Sequence, residues 1–138
     1  MTTYDVQWGG NKRAAVTTVD ELDQVIAEIE QQRGAGDTPF HVSIGVEDKD
    51  ADPFEQGGLD VGIGHPDRAF AFWAGEGPGG YGQETGVPPT PEIIAFDLAG
   101  EWTQYYAEET QINAETAKVA AREYIATGRR PTCLEWTA

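Results

Sequence analysis

Cysteine occurs once in this 138-residue chain, serine once and histidine twice. The single thiol, Cys133, excludes an internal disulfide framework and fits a reducing compartment. His41, His65 and Cys133 stand far apart, and none falls in a CxxC, HxxxH or HExxH spacing, so no metal motif is expected. Ser43 is the only serine, and no GxSxG surrounds it. His41, two residues earlier, would share a strand face with Ser43, but no third member is visible, so His41 reads as a polar-face strand residue. Cys133 follows a proline turn inside an apolar run and reads as a buried structural thiol rather than a nucleophile. No apolar run approaches the roughly 18 residues of a membrane helix. The opening MTTYDVQWGG has neither a basic start nor an apolar core, which predicts no signal peptide and a cytoplasmic protein.

Cations are scarce as well. Nine Lys and Arg stand against 24 Asp and Glu, a net charge of −15. Such a surface repels nucleic acid and anionic membranes, whose recognition depends on neutralising phosphates. It attracts basic partners and raises their on-rate, although the same charge also serves plain solubility. The deficit is uneven. Between Arg68 and Lys118 there is no Lys or Arg, but Glu76, Glu84, Glu92, Asp97, Glu101, Glu108, Glu109 and Glu115 all fall there. Trp73, Tyr81, Phe96, Trp102, Tyr105 and Tyr106 interleave with them. Aromatic anchors in an acidic field suit an interface with a basic protein. Trp73 and Phe96 read as core, and Tyr81, in a glycine-rich loop, as the exposed aromatic.

Two further motifs fail. The GEGPGGYG stretch at 75–82 has no Lys-Ser/Thr and no helix visibly following it, which excludes a P-loop and disfavours a dinucleotide loop. Asp48, Asp50 and Asp52 match the first three ligand positions of a calcium loop, but Pro53 replaces the glycine and Leu59 the closing glutamate. No residue presents itself as a catalyst, and no metal or cofactor is expected.

What is present is periodicity. Tyr4, Val6 and Trp8 alternate as a strand, Gly9-Gly10-Asn11 turn, and Ala14–Val16 form a short return strand. Thr18 and Glu21 form a capping box before Leu22, Val25, Ile26 and Ile29, predicting a helix over about 18–33 that Gly34 ends. Strands are predicted at 40–46, 59–63 and 69–74, an antiparallel meander. Residues 75–91, with six glycines and four prolines, read as a long surface loop. A strand at 93–97 follows, then Trp102–Tyr106, either strand or helical turn. Asn113 is the predicted N-cap of a second helix that buries Ala117, Ala120, Ala121, Tyr124 and Ile125. Gly128 should close it in the left-handed conformation, Pro131 forbids its resumption, and Cys133–Trp136 resembles a terminal strand. The small alanines predict close packing on a sheet. The order gives an α+β fold: an antiparallel sheet with two main helices packed on it, in a single domain over residues 1–138.

TVDELDQVIAEI, GLDVGIG followed by RAFAFWAG, the proline-glycine loop and the ending AAREYIATGRRPTCLEW together resemble a known family over nearly the full length. They are similar to the deaminase-associated immunity proteins of bacterial polymorphic toxin systems, the first of the numbered Imm families. That resemblance implies a non-enzymatic cytoplasmic protein that binds the catalytic domain of a cognate secreted toxin, often a nucleic-acid deaminase, and blocks it. A −15 surface suits the basic cleft of such a toxin. Charge and loop position then nominate Glu47, Asp48, Asp50, Asp52, Glu76, Tyr81 and Glu84 as toxin-binding residues, with no direct nucleic-acid or membrane contact. The alternatives are an acidic DNA-mimic regulator of a nucleic-acid enzyme and a small enzyme without a recognisable motif.

Overall fold

A computed structural model describes residues 2–47, 58–75 and 79–136. The alternation at Tyr4, Val6 and Trp8 produces β1 (Tyr4–Trp8), which buries those three side chains. Gly9 and Gly10, both at positive φ, turn it into β2 (Lys12–Val16). The Thr18 hydroxyl accepts the Glu21 amide at 3.1 Å and the Glu21 carboxylate accepts the Thr17 and Thr18 amides, so α1 (Val19–Glu30) starts where its capping box puts it. It ends at Gln31, earlier than expected. Gly34 is extended instead, and its lack of a side chain serves packing: a Cβ there would stand 2.4 Å from that of Asp97.

β3 (Phe40–Val46), β4 (Gly58–Ile63) and β6 (Ala71–Trp73) form the expected meander. The expected strand at 69–74 is split, with β5 (Arg68–Ala69) pairing instead with β10 (Ile112–Asn113). The 75–91 stretch is not loop throughout. Gly80–Gln83 is a strand, β7, hydrogen-bonded between β6 and the terminal β11 (Glu135–Trp136). Its glycines make room for distant partners: a Cβ on Gly82 would meet Leu134 at 2.7 Å and the Trp136 ring at 3.2 Å. β8 (Ile94–Leu98) and β9 (Glu101–Tyr105) are a hairpin, joined to β3 by one parallel bridge, Phe40 to Asp97. Of the two readings of the aromatic segment the strand holds, since β9 takes in Trp102 and Tyr105 and Tyr106 is still extended; a 3₁₀ turn at Ala107–Glu109 follows it. The main path is β11-β7-β6-β4-β3-β1-β2, antiparallel at every step.

α1 and α2 (Ala114–Thr127) cover one face. Ala117, Ala120 and Ala121 are fully buried where α2 crosses β4, the close approach that small side chains allow. Tyr124 meets Tyr4 and Trp73 edge to face at 5.3 and 5.4 Å, geometries worth about 0.5–1.5 kcal/mol each beyond area burial. Gly128 closes the helix at φ 72°, donating to the Tyr124 carbonyl at 2.7 Å.

The opposite face is also partly covered. Phe70, Ile94, Phe96 and Tyr105 form a second core where the β8–β9 hairpin lies over β4. Phe96 sits so close to Gly62 that a Cβ would stand 2.6 Å from its ring. This is why AFAFWA at 69–74 is apolar at both strand parities: Ala69, Ala71 and Trp73 face the helices, while Phe70 joins the hairpin cluster.

Candidate interaction surface

Beyond the hairpin, the helix-free face is polar. Asp5, Gln7, Ser43 and Asp60 border a shallow depression of about 310 Å³. His41 lies between this depression and the hairpin. Its Nδ1 meets the Tyr105 hydroxyl and its Nε2 meets Asp60 Oδ2 at 3.0 Å. A neutral ring that donates from Nε2 and accepts at Nδ1 satisfies all three groups. Ser43 stands opposite Asp60 in the β3–β4 register, so serine, histidine and aspartate do converge on one face. Both ring nitrogens are nonetheless engaged, leaving none to take a proton from Ser43. The arrangement ties the hairpin to the sheet. Burial, then Tyr81, Asp60 and Glu109, push the Tyr105 phenol well above its ordinary value, so it remains a donor.

Of the nominated acids the two described ones, Glu47 and Glu84, lie toward opposite ends of the sheet. Glu47 is exposed just past β3, with its amide on the Thr3 carbonyl. The pairings Gly45–Gly58, Leu59–Trp73 and Trp73–Gly80 put the exits of β3 and β6 at the same end of the sheet. Asp48, Asp50, Asp52 and Glu76 lie outside the described residues.

Tyr81 and Glu84 are differently placed. The Tyr81 ring is half-buried, 5.0 Å from Phe72 and packed on the hairpin cluster. Burial, then a hydrogen bond with Glu109, drives its phenol far above the ordinary value. It is not the exposed aromatic that its glycine-rich surroundings predict, because those glycines build a paired strand. Glu84, at the other end of β7, serves α2. Its carboxylate accepts the Asn113 amide at 3.1 Å and the Asn113 side chain at 2.9 Å. Asn113 has N-cap backbone angles but makes no side-chain cap bond, since its own amide is donated to Glu84.

Among the described residues the exposed aromatics are Trp102, 52% exposed, and Tyr106, 67% exposed. Ile94, Phe96 and Tyr105 turn inward from the hairpin, so the alternate residues Trp102, Gln104 and Tyr106 face outward. Ile93, 70% exposed, precedes β8, and continuing the Ile94–Tyr105 register places it across from Tyr106. Glu92, Glu101 and Glu108, close to these residues along the chain, are exposed. The sequence placed Trp102, Tyr105 and Tyr106 inside the cation-free stretch, but Trp-Thr-Gln-Tyr-Tyr does not alternate, so it could not say which of them face water. Cys133 is another correction, being exposed because Leu134 takes the inward position. Desolvation of the sulfur, then Glu123, nevertheless hold the thiol above its ordinary value.

Among the described residues no cluster of three or more metal-ligating side chains occurs, and no helix is long and apolar enough to cross a membrane. No curated protein matches the chain. Residues 10–138 do match a family, described as Immunity protein Imm1. The chain belongs to that family. Its role is therefore toxin-neutralising immunity, exercised by binding a cognate toxin. The Imm1 match takes in both helices, the hairpin and the terminal strand, and begins after β1, which the folded sheet inserts between β2 and β3.

Proposed function

We propose that this Imm1 protein is a stoichiometric, non-enzymatic, cytoplasmic inhibitor of a nucleic-acid-targeting toxin such as a deaminase, and that it covers the toxin's basic substrate cleft. The whole chain, 1–138, acts as one immunity-type domain and uses no cofactor. Charge is the observation that carries this reading beyond the family: −15 overall, with no Lys or Arg between Arg68 and Lys118. A cleft that binds phosphates must be cationic, and an acidic protein both steers toward it and excludes its substrate. Described cations are largely occupied within the fold. Arg13 pairs with Asp5, Lys118 with Glu30 and Glu115, and Arg122 with Asp23, while Arg68 donates to the Pro88 and Thr110 carbonyls.

Glu47, Asp48, Asp50, Asp52 and Glu76 supply the steering charge, while Tyr81 and Glu84 brace β7 and α2. The test is a binding and inhibition titration against the toxin domain encoded beside this chain's gene. One-to-one inhibition, with an association rate that falls steeply with salt, supports the reading. Absence of binding, or equal binding to unrelated basic proteins, refutes it; the second result would point to a DNA mimic.

A further inference from the structure

We propose that the outward face of the β8–β9 hairpin, centred on Trp102 and Tyr106, is the anchor by which this protein grips the basic surface of its toxin; the toxin as partner rests on the function proposed above. Trp102, Gln104 and Tyr106 stand at alternate positions over about 13 Å of extended chain, with Ile93 beside Tyr106. A hairpin has its own inner face to bury, and here Ile94, Phe96 and Tyr105 do so. Two large aromatic rings left outside that core have no folding role that needs them in water.

The stripe is also held in place. Trp102 rests on Gly36, which adopts φ +66° and whose Cβ, if present, would stand 2.8 Å from the indole. That turn is pinned by the buried Asp97 carboxylate, which accepts the Ala35 amide at 2.7 Å and the Gly100 amide at 2.8 Å. An aromatic fixed on a rigid platform yet half in solvent loses little entropy on binding, as hot-spot residues do. Charge decides the kind of partner. The exposed Glu92, Glu101 and Glu108 stand next to Ile93, next to Trp102 and two residues after Tyr106 along the cation-free stretch, and Arg33, which precedes the turn beneath Trp102, is turned onto the carbonyls of Glu30 and Gln32. Apolar anchors on a carboxylate-bearing, cation-free hairpin match a basic protein surface and disfavour nucleic acid or an anionic membrane.

Anchoring and steering separate kinetically. Long-range charge governs the association rate, and desolvated contacts govern dissociation. The experiment measures both constants for the neighbouring-gene toxin domain against the native chain, the double variant W102A/Y106A and the loop variant E47K/D48K/D50K/D52K. W102A/Y106A is expected to speed dissociation about thirtyfold or more with association within about threefold, whereas the loop variant slows association. W102A/Y106A should keep a native circular dichroism spectrum and cooperative unfolding, with a melt lowered only by loss of the Trp102 contact on Gly36, and acrylamide quenching of Trp102 should fall when toxin binds. Native-like dissociation of W102A/Y106A, or quenching of Trp102 unchanged by toxin, overturns the anchor while leaving the immunity reading intact. A native chain that fails to bind the toxin removes both. Self-association of the native chain that W102A/Y106A abolishes would assign the stripe to a second copy and overturn the toxin assignment.

Discussion

Replacing Glu84 tests whether this residue acts as the keystone of α2. Its carboxylate accepts the Asn113 backbone amide at 3.1 Å and the Asn113 side chain at 2.9 Å, and takes a further hydrogen bond from Thr116. It thus does for α2 what an N-cap side chain does elsewhere, and places a negative charge at the positive end of the helix. Loss of a cap costs about 1 kcal/mol and loss of the favourable charge about 0.3–1 kcal/mol, so Glu84→Ala should cost about 1–2 kcal/mol. For a chain of this size that lowers Tm by about 3–10 °C. Glu84→Gln keeps an acceptor but no charge and should fall roughly halfway.

The pH dependence follows from the sign of the shift. Burial raises the Glu84 pKa, but hydrogen bonds from Thr116 and Asn113 and the charge of Arg68 outweigh it, so the folded value lies below the ordinary 4.5. A depressed carboxylate contributes stability that is complete above its unfolded pKa and is lost as pH falls through the folded one. The gap between native and Glu84→Ala should therefore be full at pH 7 and narrow below about pH 4.5. The assay is thermal or urea unfolding by circular dichroism across that range. Taking the difference cancels the titration of the other carboxylates. A Glu84→Ala Tm within about 1 °C of native at pH 7, or a gap that stays constant down to pH 3, refutes the capping role.

Gly62→Ala should destabilise by about 1–3 kcal/mol, because the new methyl meets Phe96 at 2.6 Å and Phe70 at 2.9 Å; a neutral effect in urea unfolding would contradict the packing of the hairpin on β4. Arg122→Ala breaks the α1–α2 ion pair to Asp23, but both side chains are 40% exposed, so the loss should stay below about 1 kcal/mol; a larger one would show buried coupling between the helices. Cys133 is exposed, yet its thiol pKa is raised, so iodoacetamide should alkylate it slowly at pH 7, with the rate still climbing above pH 9; labelling at pH 7 faster than a free cysteine would refute this.

The local signals in this sequence were sufficient for what depends on neighbours along the chain. The Thr18–Glu21 box set the start of α1. The i, i+3, i+4 alanines fixed the buried face of α2, and Gly128 its end. Alternation marked β1, β3 and β4, and charge counting found the cation-free stretch. Tertiary structure decided whatever depends on residues far apart. Gly80–Gln83, half glycine, has weak strand propensity and becomes β7 because β6 and β11 flank it with hydrogen-bonding partners. Glu84 became a helix cap, rather than a surface charge, because the chain returns to it 29 residues later at Asn113. His41, Asp60 and Tyr105 share hydrogen bonds only because the hairpin folds over the second face of the sheet. That same fold-over buries Tyr105 and leaves Trp102 and Tyr106 outside. Periodicity along a strand gives two faces, and only the packing of one element on another chooses which face meets water.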